Sequence, residues 1–346
     1  MSELVTLTVD GVEIKAEKGT SILRAALDNG IYIPHLCDHE DLTSVGICRV
    51  CLVEIEGRRP TVSCMTPVED GMVVTTSSEE IDMTRKVNLE LLILHHDYDC
   101  QNCAKNSYCQ LQELTRYIGI DEARIKAMRA PALDFPIDDS NPYYLRDMNK
   151  CVLCGICVRT CEEIQGDECI DFAFRGIETR ISVLGDKPII DSTCVTCGEC
   201  VSRCPVGALV PRQAIEPSYE VETVCPFCGC GCNMLVGARG GKVVSSTAVE
   251  DSPVSGGSLC VKGRYGLGFV NSPDRLTTPL IRKDGELVEA SWEEAISLIT
   301  EKFGQYKGDQ FATIASAKCT VEDNYVMQKF TRAVMETNNI DHCARL

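Results

Sequence analysis

The sequence has 346 residues, of which 23 are cysteine, eight are phenylalanine and one is tryptophan. Its formal net charge of −17, from 34 basic and 51 acidic side chains, would repel the phosphates of a nucleic acid. The N-terminus lacks a secretion signal, and no apolar run approaches the roughly 20 residues that cross a bilayer. We therefore expect a cytoplasmic protein with no nucleic-acid partner and no membrane span, whose cysteines bind metal instead of forming disulfides.

The first domain is predicted to be small and rich in β-structure. Alternating residues predict two strands around a turn at Asp10, followed by a helix that begins after Thr20 or Ser21 and ends at Gly30. Four cysteines then have the spacing C-x10-C-x2-C-x12-C, which is typical of a [2Fe–2S] cluster, with a zinc site as the alternative. They are named site 1: Cys37, Cys48, Cys51 and Cys64.

A second metal-binding module follows. A helix predicted over residues 79–94, opened by the capping pair Ser77 and Glu80, leads into the pattern H-x3-C-x2-C-x5-C. Three cysteines and a histidine alone would most often bind zinc, but the position directly behind site 1 favours an iron–sulfur cluster. His95 competes with His96, although its spacing to the first cysteine is one residue too long. Site 2 is His96, Cys100, Cys103 and Cys109.

Residues 120–140 hold prolines but no cysteine and predict a linker or a covering strap. Beyond them the spacing C-x2-C-x2-C-x3-C occurs twice, and Pro205 follows the second run, as in bacterial two-cluster ferredoxins. Glu162 replaces the proline that usually follows the first run. In such ferredoxins the fourth cysteine of each run binds the cluster of the other run. Site 3 is therefore Cys151, Cys154, Cys157 and Cys204, and site 4 is Cys161, Cys194, Cys197 and Cys200.

A fifth group has the spacing C-x2-C-x3-C-x27-C and is similar to the N-terminal [4Fe–4S] domain of molybdenum- and tungsten-pterin oxidoreductases. The resemblance implies that Lys262 lies between cluster and pterin and helps to pass electrons; the alternative is an ordinary surface lysine. Site 5 is Cys225, Cys228, Cys232 and Cys260. The cysteines outside these sites are predicted to be small buried hydrophobic residues: Cys169, Cys230, Cys319 and Cys343.

Sites 1 and 2 together resemble modules of complex I's large peripheral subunit and of multi-cluster hydrogenases. The resemblance implies that site 2 carries a [4Fe–4S] cluster whose potential is raised by its neutral imidazole ligand. The fold class is thus multi-domain α+β. Its predicted parts are 1–78, a β-grasp [2Fe–2S] ferredoxin; 79–119, a His(Cys)3 cluster module; 120–140, a linker; 141–214, a tandem 2×[4Fe–4S] ferredoxin; 218–274, a Mo/W-pterin-type [4Fe–4S] domain; and 275–346, the truncated start of an α/β catalytic domain.

The last segment looks like the opening of the catalytic domain of formate dehydrogenase α subunits. It has an amphipathic helix after Ser291 and ends with Cys343-Ala-Arg-Leu346. In that family, the residue after Cys-Ala-Arg-hydrophobic is the selenocysteine or cysteine that binds the metal. We therefore expect the N-terminal part of a selenocysteine-containing formate dehydrogenase, cut at the recoded codon, with the catalytic residue directly after Leu346. Such a cut would leave apolar helix residues such as Ile296 without partners.

The resemblance implies one [2Fe–2S] cluster, four [4Fe–4S] clusters and, in the full-length protein, molybdenum or tungsten on bis(molybdopterin guanine dinucleotide). It implies formate and CO2 as substrates. Electrons would leave through Lys262 and site 5, then cross sites 4 and 3, site 2 and finally site 1. Since no G-x-G-x-x-G follows a strand, nucleotide binding is assigned to a partner: a flavoprotein NAD(P)-binding subunit, a ferredoxin or hydrogenase subunits.

Three alternatives remain. One is the complex I large peripheral subunit, which shares the first two modules but carries a single cluster where this chain has tandem runs. Another is an iron-only hydrogenase, which shares the first four clusters but needs its own hydrogen-cluster cysteines in place of site 5. A stand-alone electron carrier is the third.

Overall fold

The computed structural model describes residues 3–128, 134–213 and 215–342. Pro131 of the predicted linker and the Cys343-to-Leu346 motif lie outside these ranges. The described residues form two compact units, one on each side of residue 214. Short sheets and helices alternate in both, which confirms the expected mixture of α and β structure. Within the described ranges, we find no helix long and apolar enough to span a membrane.

The first domain is a five-stranded sheet with one helix packed on it. Its strands and helix are β1 (Leu4–Val9), β2 (Val12–Glu17), α1 (Ile22–Asp28), β3 (Leu52–Ile55), β4 (Thr61–Val62) and β5 (Val73–Thr75). The strand order is β2-β1-β5-β3-β4, with β1 and β5 parallel, which is the arrangement that the β-grasp prediction requires. The predicted hairpin and helix are confirmed: Ser21 Oγ accepts the N–H of Arg24 at 3.3 Å, and Gly30 has φ +75°.

Three helices follow: α2 (Glu79–Ile93), α3 (Gln110–Ile118) and α4 (Glu122–Met128). The predicted cap of α2 was wrong by one residue, because Ser78, not Ser77, accepts the N–H of Ile81. The predicted linker is in part helical, since Asp121 Oδ1 accepts the N–H of Ala123 at 2.9 Å and thereby caps α4. Ile125 of α4 is buried, and its packing holds this helix against the rest of the first unit.

The tandem module is built from short elements. They are β6 (Tyr144–Arg146), α5 (Ile156–Arg159), β7 (Asp171–Ala173), β8 (Arg180–Ser182), α6 (Glu199–Ser202) and β9 (Leu209–Pro211). Strand β6 pairs with β9, and β7 with β8, both antiparallel. The β6–β9 pair joins the start of the module to its end, and both cysteine runs lie between these two strands in the sequence.

The second unit starts with an antiparallel sheet of β10 (Tyr219–Val224), β11 (Asn233–Arg239) and β12 (Lys242–Ala248). Then come α7 (Val261–Tyr265), the hairpin β13 (Leu280–Lys283) and β14 (Glu286–Glu289), α8 (Trp292–Phe303), β15 (Thr313–Ala315), α9 (Val321–Ala333) and β16 (Ile340–His342). Helix α8 is amphipathic as predicted and opens with a capping box between Ser291 and Glu294. Its apolar residues Trp292 and Ile296 are exposed, at 71% and 56%.

Candidate metal centres

The two runs of the tandem module have the same backbone geometry. Leu153 and Thr196, each two residues after the first cysteine of a run, have φ values of +52° and +56°. In this conformation their N–H groups lie 3.4 Å from the sulfurs of Cys151 and Cys194. A positive φ is uncommon for these residue types, most of all for β-branched threonine. Its recurrence at equivalent positions indicates that both runs are shaped around the same kind of ligand.

One cavity is lined by all eight cysteines of the two runs. Burial raises the pKa of Cys151 to about 12 and that of Cys157 well above its ordinary value. Thiolates at these positions therefore need a bound cation to offset their desolvation. No disulfide joins any of the 22 cysteines within the described ranges. The donor set thus fits two [4Fe–4S] clusters, each of which takes four cysteines.

The fourth cysteine of each run lies near the other run. Cys204 interacts electrostatically with Cys151 and Cys154, while Cys161 interacts with Cys197 and Cys200. Cys200 also interacts with Cys204 and with Cys157, so the division of the eight cysteines into sites 3 and 4 stays a prediction.

Site 1 is formed by four buried sulfurs in the loop between α1 and β3 and at the end of β4. The exposed fraction of each cysteine is between 1% and 4%. The thiol of Cys64 donates to Cys51 and lowers its pKa to about 7, and the N–H of Cys48 lies 3.4 Å from the sulfur of Cys37. The four sulfurs thus lie together in a buried position. Four cysteine sulfurs are the donor set of a [2Fe–2S] cluster.

Site 2 lies around a second cavity, which is lined by His96 and the three cysteines of the site. His96 is 6% exposed, whereas His95 is exposed and is not among the lining residues. Desolvation lowers the pKa of His96 to about 4, so its ring is neutral at physiological pH and can donate a lone pair. The side chain of Cys103 lies so close to Gly207 that a Cβ there would be 2.5 Å from its sulfur.

Site 5 lies between β10, β11 and α7 in the second unit. Cys225 donates its N–H to the carbonyl of Cys232 at 2.8 Å, and its sulfur interacts electrostatically with those of Cys228 and Cys260. The last two side chains are exposed. Lys262 is also exposed, on α7 two residues after Cys260.

The cysteines outside the five sites depart from their prediction. Cys230 and Cys319 are exposed, so the expectation that they are buried was wrong for both. Cys343 lies outside the described residues. Cys169 is half-buried and lines the tandem cavity together with sites 3 and 4, which spacing did not reveal because it belongs to neither run.

Sites 1 and 3 are direct neighbours. Arg159, in α5 of the tandem module, donates to the carbonyl of Cys37 at 2.6 Å and to that of Thr43 at 2.7 Å. The sulfurs of Cys37 and Cys154 also interact electrostatically. The predicted electron path passes through site 2 between site 1 and the tandem module, whereas the structure also brings site 1 into direct contact with that module.

Five family models match successive parts of the chain. A 2Fe-2S iron–sulfur cluster binding domain matches residues 2–79, an NADH-ubiquinone oxidoreductase-G iron–sulfur binding region 85–124, and a 4Fe-4S dicluster domain 150–208. A molybdopterin oxidoreductase Fe4S4 domain matches residues 219–272, and the molybdopterin oxidoreductase domain matches 275–346.

Curated relatives of different names align with nearly the whole chain. The second G-type subunit of the NADH-quinone oxidoreductase of Rhizobium meliloti and the NADPH-Fe(3+) oxidoreductase subunit alpha of Geobacter sulfurreducens are each 37% identical over 99% of the chain. YrhE of Bacillus subtilis, named as a candidate formate dehydrogenase, is 34% identical over 99%. The chain spans about 40% of the length of each of these relatives.

Among solved structures, a chain of the NAD+-reducing [NiFe]-hydrogenase in the H2-reduced state is similar with a TM-score of 0.56 and 33% identity. The match covers 61% of this chain and 88% of that one. Taken with the family matches, these findings show an iron–sulfur electron-transfer region with 2Fe-2S and 4Fe-4S domains, followed by the start of a molybdopterin oxidoreductase domain.

Proposed function

We propose that the chain is the iron–sulfur arm of a formate dehydrogenase α subunit, which connects a molybdenum- or tungsten-pterin site to a NAD(P)- or ferredoxin-linked partner. The observation that carries the electron-transfer part is the convergence of thiols at sites 1 to 4. Those of sites 2, 3 and 4 line two cavities, and those of site 1 are buried together. Iron–sulfur clusters, when bound there, supply one-electron transfer. The protein's own contribution is to hold these donors apart from water and close to one another.

The ligand assignment follows the five sites. Sites 1, 3, 4 and 5 each supply four cysteines, and site 2 supplies His96 and three cysteines. We assign a [2Fe–2S] cluster to site 1 and [4Fe–4S] clusters to the others. We assign Lys262 to the pterin side of site 5, because it follows Cys260 by two residues and is exposed for such a contact.

Formate is proposed as the substrate on the resemblance of residues 275–346 to formate dehydrogenase α subunits, which the molybdopterin oxidoreductase match supports. The second candidate is the G-type subunit of an NADH-quinone oxidoreductase, favoured by the Rhizobium relative. That alignment covers 99% of the chain and so includes the tandem module. The tandem runs alone therefore do not separate the two functions.

Partners are proposed from the relatives as well. Their names describe subunits of NADH- and NADPH-linked enzymes, and no G-x-G-x-x-G fingerprint follows a strand in this sequence. The acceptor would therefore be a flavoprotein NAD(P)-binding subunit, a ferredoxin or hydrogenase subunits.

Analysis of iron and acid-labile sulfide tests the cluster assignment. We expect about 18 iron atoms per chain, and a value near 10 would remove at least two of the assignments. The full gene product, purified without air, tests the substrate: formate should reduce its clusters in the absence of any partner. Reduction by NADH with its flavoprotein but never by formate would instead favour the NADH-quinone oxidoreductase function.

The gene beyond the Leu346 codon tests the selenocysteine hypothesis. An in-frame UGA followed by His-Gly codons would support it. A cysteine codon at the same place would keep the formate proposal and remove selenocysteine from it.

A further inference from the structure

A ninth thiol lies in the tandem cavity beside the eight assigned to sites 3 and 4. The sulfur of Cys169 is 3.6 Å from that of Cys161, and Cys169 also donates to the sulfur of Cys194. Both neighbours are assigned ligands of site 4. Site 4 therefore has five thiols within reach of a cluster that takes four.

The loop that carries Cys169 is fastened to both ends of site 4. The N–H of Asp167 donates to the carbonyl of Cys161 at 3.1 Å, and Asp167 Oδ2 accepts the N–H of Val195 at 3.4 Å. Glu168, directly before Cys169, has φ +49°, a backbone conformation that residues other than glycine rarely adopt. The loop thus holds the Cys169 side chain between two ligands at the expense of a strained backbone.

Cys161 and Cys169 differ in the thiols with which they interact. Cys161 interacts electrostatically with Cys197 and Cys200 of the second run, as well as lying next to Cys169. The strongest interactions of Cys169 are with Cys161 and Cys194. Cys169 is thus placed beside the ligand set, where its hydrogen can reach a ligand sulfur.

We propose that Cys169 is a positioning residue that donates an S–H···S hydrogen bond to a ligand thiolate of site 4 and thereby raises the reduction potential of that cluster. The inference rests on the ligand set proposed for site 4. A donor to a ligand sulfur stabilises the reduced cluster, which carries more negative charge. Tyr144 Oη, 3.4 Å from the sulfur of Cys194, is a second donor to the same set. Site 4 is therefore the more easily reduced cluster of the tandem pair.

The test is a redox titration of the full chain, followed by electron paramagnetic resonance, for wild type and Cys169→Ala. We expect the iron content to stay at about 18 per chain and one [4Fe–4S] signal to move to lower potential while the others do not move. Cys169→Ser keeps a hydrogen-bond donor and should restore part of the shift. Cys319→Ala, which removes an exposed thiol in the other unit, is the matched control and should change nothing.

Three results would overturn the inference. Unchanged potentials in Cys169→Ala would mean that the thiol does not act on the cluster. A loss of about four iron atoms would make Cys169 a ligand. If the wild type held one zinc ion per chain and the variant lost it, Cys169 would be a ligand of a mononuclear zinc site. Ligand atoms of Cys161, Asp167 and Cys169 lie within 4.8 Å of one another. An iron content too low for site 4 in the wild type would instead contradict the proposed function.

Discussion

His96 of site 2 donates its Nδ1–H to the backbone carbonyl of Lys150 at 3.0 Å, and Lys150 directly precedes the first cysteine of site 3. Because a carbonyl oxygen only accepts, the proton is on Nδ1 and the lone pair is on Nε2. In this tautomer Nε2 is the nitrogen that can bind a metal, and the hydrogen bond from Nδ1 fixes the orientation of the ring. One contact therefore prepares His96 as a ligand and connects the site 2 module to the tandem module.

His96→Cys should keep the iron content of the chain but lower the potential of one [4Fe–4S] cluster. The added thiolate brings a negative charge, which disfavours the reduced state. His96→Ala removes the ligand and should release about four iron atoms per chain. Iron analysis and a redox titration measure both effects.

His95→Ala is the matched control, since the neighbouring ring is exposed. It should leave the iron content and all potentials as in wild type. Loss of iron from His95→Ala with retention in His96→Ala would reverse the ligand assignment.

Gly207→Ala should disrupt site 2 from a position that belongs to none of the sites. The added Cβ would be 2.5 Å from the sulfur of Cys103, closer than any real contact, so the thiol must rotate away. We expect a loss of up to about four iron atoms and of the site 2 signal. Gly268→Ala is the control, because a Cβ there meets nothing within 4 Å. Equal iron content in the two variants would show that Cys103 has room to move without releasing the metal.

Arg159→Ala should loosen site 1 from the tandem module. The buried guanidinium donates to the carbonyls of Cys37 and Thr43. The substitution leaves both carbonyls without this donor, and we expect it to lower the free energy of unfolding by about 3 kcal/mol. Iron of the [2Fe–2S] type should be released to a chelator faster than in wild type. Arg58→Ala removes an exposed arginine paired with Glu69 and should have little effect. Equal release rates in the two variants would contradict the stabilising role of Arg159.

Local features were predictable from the sequence because they depend on neighbouring residues. The turn at Asp10 and the amphipathic helix after Ser291 each follow from a few adjacent side chains. The cysteine groups were also visible, since a cluster needs short fixed spacings between its ligands.

Contacts between distant segments were not predictable. Arg159 and Cys37 are 122 positions apart, and no pattern in either segment names the other. Cys169 approaches site 4 through a loop whose course depends on backbone angles at Glu168 and on the hydrogen bonds of Asp167. The contact of site 1 with the tandem module depends on such long-range hydrogen bonds, which is why spacing and resemblance alone did not indicate it.

The cap of helix α2 offers a direct comparison of a sequence prediction with the structure. Ser78 Oγ lies 3.3 Å from the N–H of Ile81, whereas Ser77 Oγ donates to the carboxylate of Asp82 at the surface. Ser78→Ala should therefore lower the free energy of unfolding by about 1 kcal/mol, because an N–H of the first turn loses its acceptor. Ser77→Ala should change it by less than about 0.5 kcal/mol. Urea unfolding of both variants measures the difference, and a larger loss in Ser77→Ala would restore the capping box with Glu80.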